Sequence, residues 1–188
     1  MVCDRCGAPT LWPVERCREC AGRRLAFHTA RAAVAYSGAA PHLVAAWKEH
    51  ALRRAATVAA ELVVERLEAP AADVITYIPS DPTRLLVRGH HPAERLAREL
   101  ASRWRLTDVP LLVRTGGRAT TRQTGLPRAE RLRNARGAFI AVAEAPKRVL
   151  LVDDVYTTGA TVSAAASALR KAGARRVDVV TFARTVRV

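Results

Sequence analysis

The stretch Val149-Leu150-Leu151-Val152-Asp153-Asp154-Val155-Tyr156-Thr157-Thr158-Gly159-Ala160-Thr161 decides the fold. Its opening apolar run is long enough for a strand buried on both faces, as in a parallel sheet. Two adjacent carboxylates follow, then a short turn of hydroxyls and glycine. Beyond it, Val162, Ala165, Ala166 and Leu169 recur at helical spacing, so a helix starts at about Thr158 to Ala160. Open parallel sheets bind ligands at the carboxyl ends of their strands, where this turn must lie. Unpaired N–H groups at a helix start, with the positive end of its dipole, favour an anion. Gly159 lets the main chain approach that anion, and Thr157, Thr158 and Thr161 add hydroxyl donors. Asp153 and Asp154 would repel a phosphate; they suit sugar hydroxyls, a hydrated magnesium ion or a developing positive charge. Phosphate on one side and diol or metal on the other describe a phosphorylated sugar.

This pattern resembles the signature of type I phosphoribosyltransferases, which bind 5-phosphoribosyl-1-pyrophosphate. The resemblance implies that Asp153 and Asp154 meet the ribose hydroxyls and magnesium. Tyr156, Thr157, Thr158, Gly159, Ala160 and Thr161 would then cradle the 5-phosphate. An ordinary buried strand leading to an N-capped helix is the plainer alternative, but it requires neither the paired acids nor Thr-Thr-Gly.

At 188 residues the chain fits one domain with a small appendage. Aromatics make up only 5%, so stacking on rings is not its main way of holding bases. No apolar run approaches the length that spans a bilayer, and the N-terminus goes straight into cysteines without a signal peptide's apolar region. The expectation is a cytoplasmic protein without membrane insertion. Lys and Arg number 31 against 17 Asp and Glu, a formal charge of +14, which suits a polyanion such as nucleic acid or several phosphates. The charge is spread along the chain and mostly arginine, so a solvated basic surface fits the composition equally.

Cys3-x-x-Cys6 and Cys17-x-x-Cys20 use every cysteine in the protein. Two such knuckles can offer four thiolates to one zinc ion, a structural site with no open position. A disulfide pair and an iron–sulfur cluster are the competing assignments. Residues 1–25 are expected to form this zinc-ribbon unit and residues 26–188 the main domain.

A short strand is expected over Arg31 to Tyr36, and one long helical run from Pro41 through Trp47 to Leu67. Trp47 reads as core, and Lys48 as a possible phosphate contact. Val74 to Ile78 forms a second strand, followed by a loop through Pro79, Ser80, Asp81, Arg84, Arg88 and His90-His91 to a helix opened by Pro92. Pro79, Ser80, Arg84 and Arg88 are candidates for a pyrophosphate, since arginine forks match phosphate oxygens in pairs. A third strand, Val109 to Val113, leads into a loop bearing Arg114, Arg118, Arg122 and Gln123. Its length and glycines suit a lid or a disordered segment. Pro127 opens a short basic helix with Arg128, and strands follow near Phe139-Ile140 and over Val177 to Phe182. Alternating strands and helices give an α/β fold with a parallel sheet flanked by helices.

In this order, Trp47-Lys48, Arg88-Gly89, Gln123, Arg128, Asn134, Phe139 and Val152 to Thr161, behind two cysteine knuckles, resemble the ComF family of bacterial competence-associated proteins, related to the GntX proteins. The chain departs at His90-His91, where that family usually carries an aromatic and then Asn or Asp. The resemblance implies a type I phosphoribosyltransferase-like domain with an N-terminal zinc ribbon, magnesium carried with phosphoribosyl pyrophosphate, and a link to natural competence and DNA uptake. Magnesium with Arg84, Arg88 and the loop arginines Arg114, Arg118, Arg122 and Arg128 would neutralise departing pyrophosphate. The alternative is a non-catalytic or metabolite-sensing protein whose zinc ribbon and basic surface bind single-stranded DNA or competence partners such as a helicase.

Overall fold

The computed structural model describes residues 1–49, 52–115 and 137–186. Its centre is a five-stranded, all-parallel sheet in the order β1-β7-β6-β2-β3. These strands are β1 (Thr29–Ala35), β2 (Val74–Tyr77), β3 (Thr107–Asp108), β6 (Arg148–Tyr156) and β7 (Arg176–Arg184). The apolar run of β6 is buried on both faces, as its composition demands: Val149 and Leu151 join one core layer, Leu150 and Val152 the other. The second layer is filled from α1 (Ala40–Glu49), α2 (Arg53–Arg66) and α4 (Pro92–Trp104), whose Leu96 and Leu100 are fully buried. The first holds α5 (Ala160–Lys171), the antiparallel pair β4 (Leu112–Arg114) and β5 (Phe139–Ala141), and the cysteine-bearing segment. Cys3, Cys6, Cys20, Leu25 and Phe27 share that layer's core with Leu151 and Leu169, so the N-terminal unit is docked on the sheet.

Three expectations need correction. The helical run from Pro41 to Leu67 is not continuous: Leu52 is extended (φ −66°, ψ 99°), and α1 folds back to pack on α2. Packing overrides periodicity here, because the fold places Trp47, 1% exposed, in one core with Ala55, Ala56, Ala59 and Ala60. The loop after β2 contains a helix, α3 (Pro82–Arg88), started by Asp81, whose carboxylate accepts from the Thr83 N–H at 3.1 Å. Gly89, left-handed at φ 70°, ends it. The strand expected over Val109–Val113 is divided, because Pro110 has no N–H to continue a ladder. Val109 still donates to Ile75 in β2, whereas Leu112–Arg114 pair with Phe139–Ala141 outside the main sheet. The basic helix expected from Pro127 lies outside the described residues.

Chain direction fixes where a ligand can enter. From β2 the chain passes through α4 on one face and moves outward to β3; from β6 it passes through α5 on the opposite face and moves outward to β7. β2 and β6 are neighbours, so the connections diverge at their carboxyl ends and leave a crevice there. Pro79–Asp81 and Asp153–Thr161 form its two lips.

Trp47 carries the α1–α2 packing. Trp47→Ala should cost about 3–5 kcal/mol, as truncation of large buried aromatics does. A drop in urea midpoint with an unchanged m-value is expected; a loss below about 1 kcal/mol would mean that α1 is held by other contacts.

Candidate functional site

β6 ends in the paired carboxylates. Alternation along a strand sends adjacent side chains to opposite faces, so Asp153 and Asp154 do not stand side by side on one surface. Asp154 turns to the α1 face, where its Oδ2 lies 2.7 Å from Lys48 Nζ. Asp153 Oδ1 accepts from the Asp154 N–H at 2.9 Å. Withdrawal from water, together with the Asp154 charge, pushes Asp153 up to about 8, although Lys48 and Arg114 both pull it down. The lysine's charge thus acts on both acids and keeps them one electrostatic unit. The β7 ladders skip Phe182 on both sides, and the pleat changes phase just beyond the acids: Val155 packs with the α1 layer and Tyr156 with the opposite one.

The turn that follows has the features an anion needs. Gly159 is left-handed (φ 72°) and caps α5 without a side-chain hydrogen bond, leaving the helix's first amides to other partners. The Thr158 hydroxyl accepts from the Ala160 N–H at 3.3 Å, and Thr157 is exposed. A Cβ on Gly159 would strike the Tyr156 phenol, so glycine is required by space as well as by conformation. Tyr156, named by sequence among the phosphate residues, is 4% exposed and supports the turn from beneath. Its ring meets the Phe27 edge at 6.3 Å and the Arg184 guanidinium at 4.8 Å. Burial pushes its phenol up to about 12, with Cys6 adding to the rise and Arg184 opposing it.

Across the crevice, the Ser80 N–H donates to His91 Nδ1 at 3.1 Å, beside buried Pro79. His90 Nε2 bonds the Trp47 carbonyl at 3.0 Å, next to Lys48. The two histidines read from sequence as polar loop residues therefore fasten the β2 loop and the end of α1. Nothing in their sequence spacing signals this. Arg84 and Arg88 stand four positions apart on α3. Arg114 lies 3.8 Å from Asp81 and 5.0 Å from the Phe139 ring, and its charge acts on Asp153, so it sits at the mouth. Arg118, Arg122, Gln123 and Arg128 lie outside the described residues.

The four cysteines come together as their spacing requires. All are free thiols, and their Sγ atoms lie within 4.8 Å of one another. Neighbouring sulfurs are 3.5 Å (Cys6–Cys17), 3.7 Å (Cys3–Cys20) and 4.0 Å (Cys17–Cys20) apart. Sulfurs about 2.3 Å from one tetrahedral ion are separated by about 3.8 Å, whereas a disulfide needs about 2.05 Å, so the cluster fits zinc. Burial raises Cys6 and Cys20; at Cys3 it is outweighed by N–H groups of Cys6, Cys17 and Arg5, which bring the thiol down to about 7. Four such thiolates need a cation among them.

Residues 85–186 match the phosphoribosyl transferase domain family. The chain belongs to that family. It is 41% identical over 103 residues to competence protein F of Haemophilus influenzae, covering 52% of this chain and 44% of that one. To competence protein ComFC of Streptococcus pneumoniae it is 36% identical over 106 residues, covering 56% and 44%. These relatives bear out the ComF resemblance, though the chain spans only about 44% of the length of each. Among solved structures it resembles glutamine phosphoribosylpyrophosphate amidotransferase from B. subtilis (24% identity, TM-score 0.44, 69% of this chain and 25% of that one). It also resembles adenine phosphoribosyltransferase from Thermoanaerobacter pseudethanolicus (17%, 0.42, 72% and 83%). The phosphoribosyltransferase fold expected from the sequence, a parallel sheet flanked by helices, is the fold observed. Among the described residues no helix is long and apolar enough to cross a membrane.

Asp153 gives a signed pH dependence. Its raised value means that the folded protein keeps a proton the unfolded chain loses near pH 4. The stability this contributes is present at low pH and lost as pH rises through about 8. In magnesium-free buffer, Asp153→Asn should therefore gain stability relative to the parent between pH 5 and 8.5. Denaturation midpoints that shift in parallel would show that Asp153 ionises without penalty.

Proposed function

We propose that the crevice binds 5-phosphoribosyl-1-pyrophosphate with magnesium and that the protein transfers the phosphoribosyl group to an acceptor, in the setting of natural competence and DNA uptake. The observation that carries this is the end of β6: two adjacent carboxylates followed at once by a left-handed glycine turn that starts α5. The turn from Thr157 to Thr161 would take the 5-phosphate, a remote handle that positions the reacting carbon. Asp153 and Asp154, approaching from two sides of the strand end, would straddle the ribose and favour the positive charge that grows on the ring as pyrophosphate leaves. Both acids fit magnesium borne on pyrophosphate, because that ion keeps several waters and takes one or two carboxylates plus substrate phosphates. When bound it would neutralise the leaving group. Lys48 would hold the Asp154 carboxylate in place at the strand end until the sugar arrives. Pro79, Ser80, Arg84 and Arg88 would serve the pyrophosphate side. In this scheme residues 1–25 are a structural zinc unit docked on a catalytic domain formed by 26–188. The four reduced thiols suit the cytoplasm.

Titration calorimetry with phosphoribosyl pyrophosphate and magnesium should show saturable binding that Asp153→Asn weakens by at least about tenfold, the order of a lost charge-assisted contact. Turnover with a panel of nucleobases should identify the acceptor. Full-strength binding to the Asp153→Asn variant would remove the site assignment.

A groove of about 790 Å³ between the tail of the cysteine unit and α5 favours a second activity, binding of single-stranded DNA. Arg23, Arg24, Lys171, Ser163 and Ser167 line it, three cations with no acid among the lining residues. A single strand should then bind with affinity that falls steeply with salt and survives Asp153→Asn. Replacing Arg24 and Lys171 by Ala should reduce the salt slope by about one per lost phosphate contact. No binding at low salt would dispose of the idea.

A further inference from the structure

We propose that the cysteine unit is a clamp on the phosphate-binding turn: closing the four-cysteine cluster sets residues 157–161 in their anion-accepting conformation. The proposal rests on the phosphate site assigned above. One direct contact and one bridge through Arg184 join the two, and a third bond fastens the chain just past the unit to α5. Arg23, three residues past Cys20, donates from Nη2 to the Thr158 carbonyl at 2.8 Å. In a planar trans peptide that carbonyl and the Gly159 N–H point in opposite directions, so fixing one on the cysteine unit turns the other toward the crevice. The Ala26 N–H donates to Ser163 Oγ at 3.2 Å, one turn into α5. Arg184, 4% exposed, donates to the Cys6 carbonyl and to Glu19 Oε2, the latter at 3.0 Å. Its guanidinium lies over Tyr156, the ring on which Gly159 rests.

The geometry of Arg184 makes this more than adjacency. Cys6 belongs to the first knuckle and Glu19 to the second, so one buried cation touches both and can do so only while the knuckles are held together. Holding them together is what an ion at Cys3, Cys6, Cys17 and Cys20 would do. Arg23 and Arg184 are positioning residues: they reach the turn's backbone and its supporting ring, and need touch no ligand. Coupling between two sites is reciprocal, so a phosphate ligand seated on the turn must also tighten binding of the metal.

Hydrogen exchange on the full chain loaded with one equivalent of zinc provides the test. In Arg23→Ala, with its zinc retained, amides of the segment 157–162 should exchange at least about fivefold faster than in the parent, the lower end of ordinary coupling. Amides 149–152 in β6 should not change. At equilibrium, ribose 5-phosphate should lower the share of zinc taken by a competing chromophoric chelator in the parent but not in the variant. Unchanged exchange over 157–162, or ribose 5-phosphate protecting zinc equally in both proteins, would overturn the clamp. Should chelation unfold the whole protein, the zinc-retaining Arg23→Ala variant still decides. If ribose 5-phosphate fails to bind the parent while the exchange difference is present, the phosphate assignment falls and the mechanical link stands.

Discussion

Two carboxylates in adjacent positions at the end of a buried strand impose an electrostatic constraint that shapes everything around the crevice. Unit charges about 4 Å apart repel by about 4 kcal/mol at an effective dielectric near 20, a large fraction of a domain's net stability. The chain meets this in two ways. Lys48 is placed against Asp154, and Asp153 keeps its proton well above the ordinary carboxylate range. The strand's alternation helps by directing the two groups to different faces. One acid is thus neutralised by its proton and the other is paired with the lysine.

The lysine can do this only if α1 ends where it does. His90 ties the Trp47 carbonyl to the loop after β2, and Trp47 itself is sunk among the alanines of α2. His91 binds the other lip through the Ser80 amide. The two histidines that depart from the expected pattern thus both serve as loop anchors here. The β2 lip of the crevice and the lysine that pairs with Asp154 are thus fastened by neighbouring residues of one loop.

Sequence revealed those parts of the molecule in which chemistry and local geometry agree. The run from Val149 to Thr161 has apolar residues where two layers need them, glycine where the backbone turns left-handed, and a helix pattern beyond; all three signals point the same way. The four cysteines were legible for the same reason. α3 was also readable in principle, since Asp81-Pro82 and Gly89 are start and stop signals, but the intervening residues show no buried stripe, and Leu86 and Val87 are in fact exposed. The break at Leu52 and the division at Pro110 come from tertiary packing and a missing ladder donor, which periodicity does not weigh. Arg23 and Arg184 gave no warning. One follows a knuckle among other arginines and the other ends an apolar strand, and their partners lie 135 and 178 residues away in the chain.

Strand order also bears on synthesis. Among the described residues β1 pairs with β7 alone, joining Thr29 to Asp178 and Ala35 to Arg184, and β7 is likewise the neighbour of β6. β1 must therefore wait for β7, with the hydrogen bonds of that edge unsatisfied, until residue 184 has left the ribosome. Vectorial folding can assemble β2, β3, α4 and β6 early, but the sheet closes only after translation of β7. Between the emergence of β1 and that of β7 the nascent chain thus carries an open strand edge, a window in which chaperones would find it and in which mispairing would be most damaging.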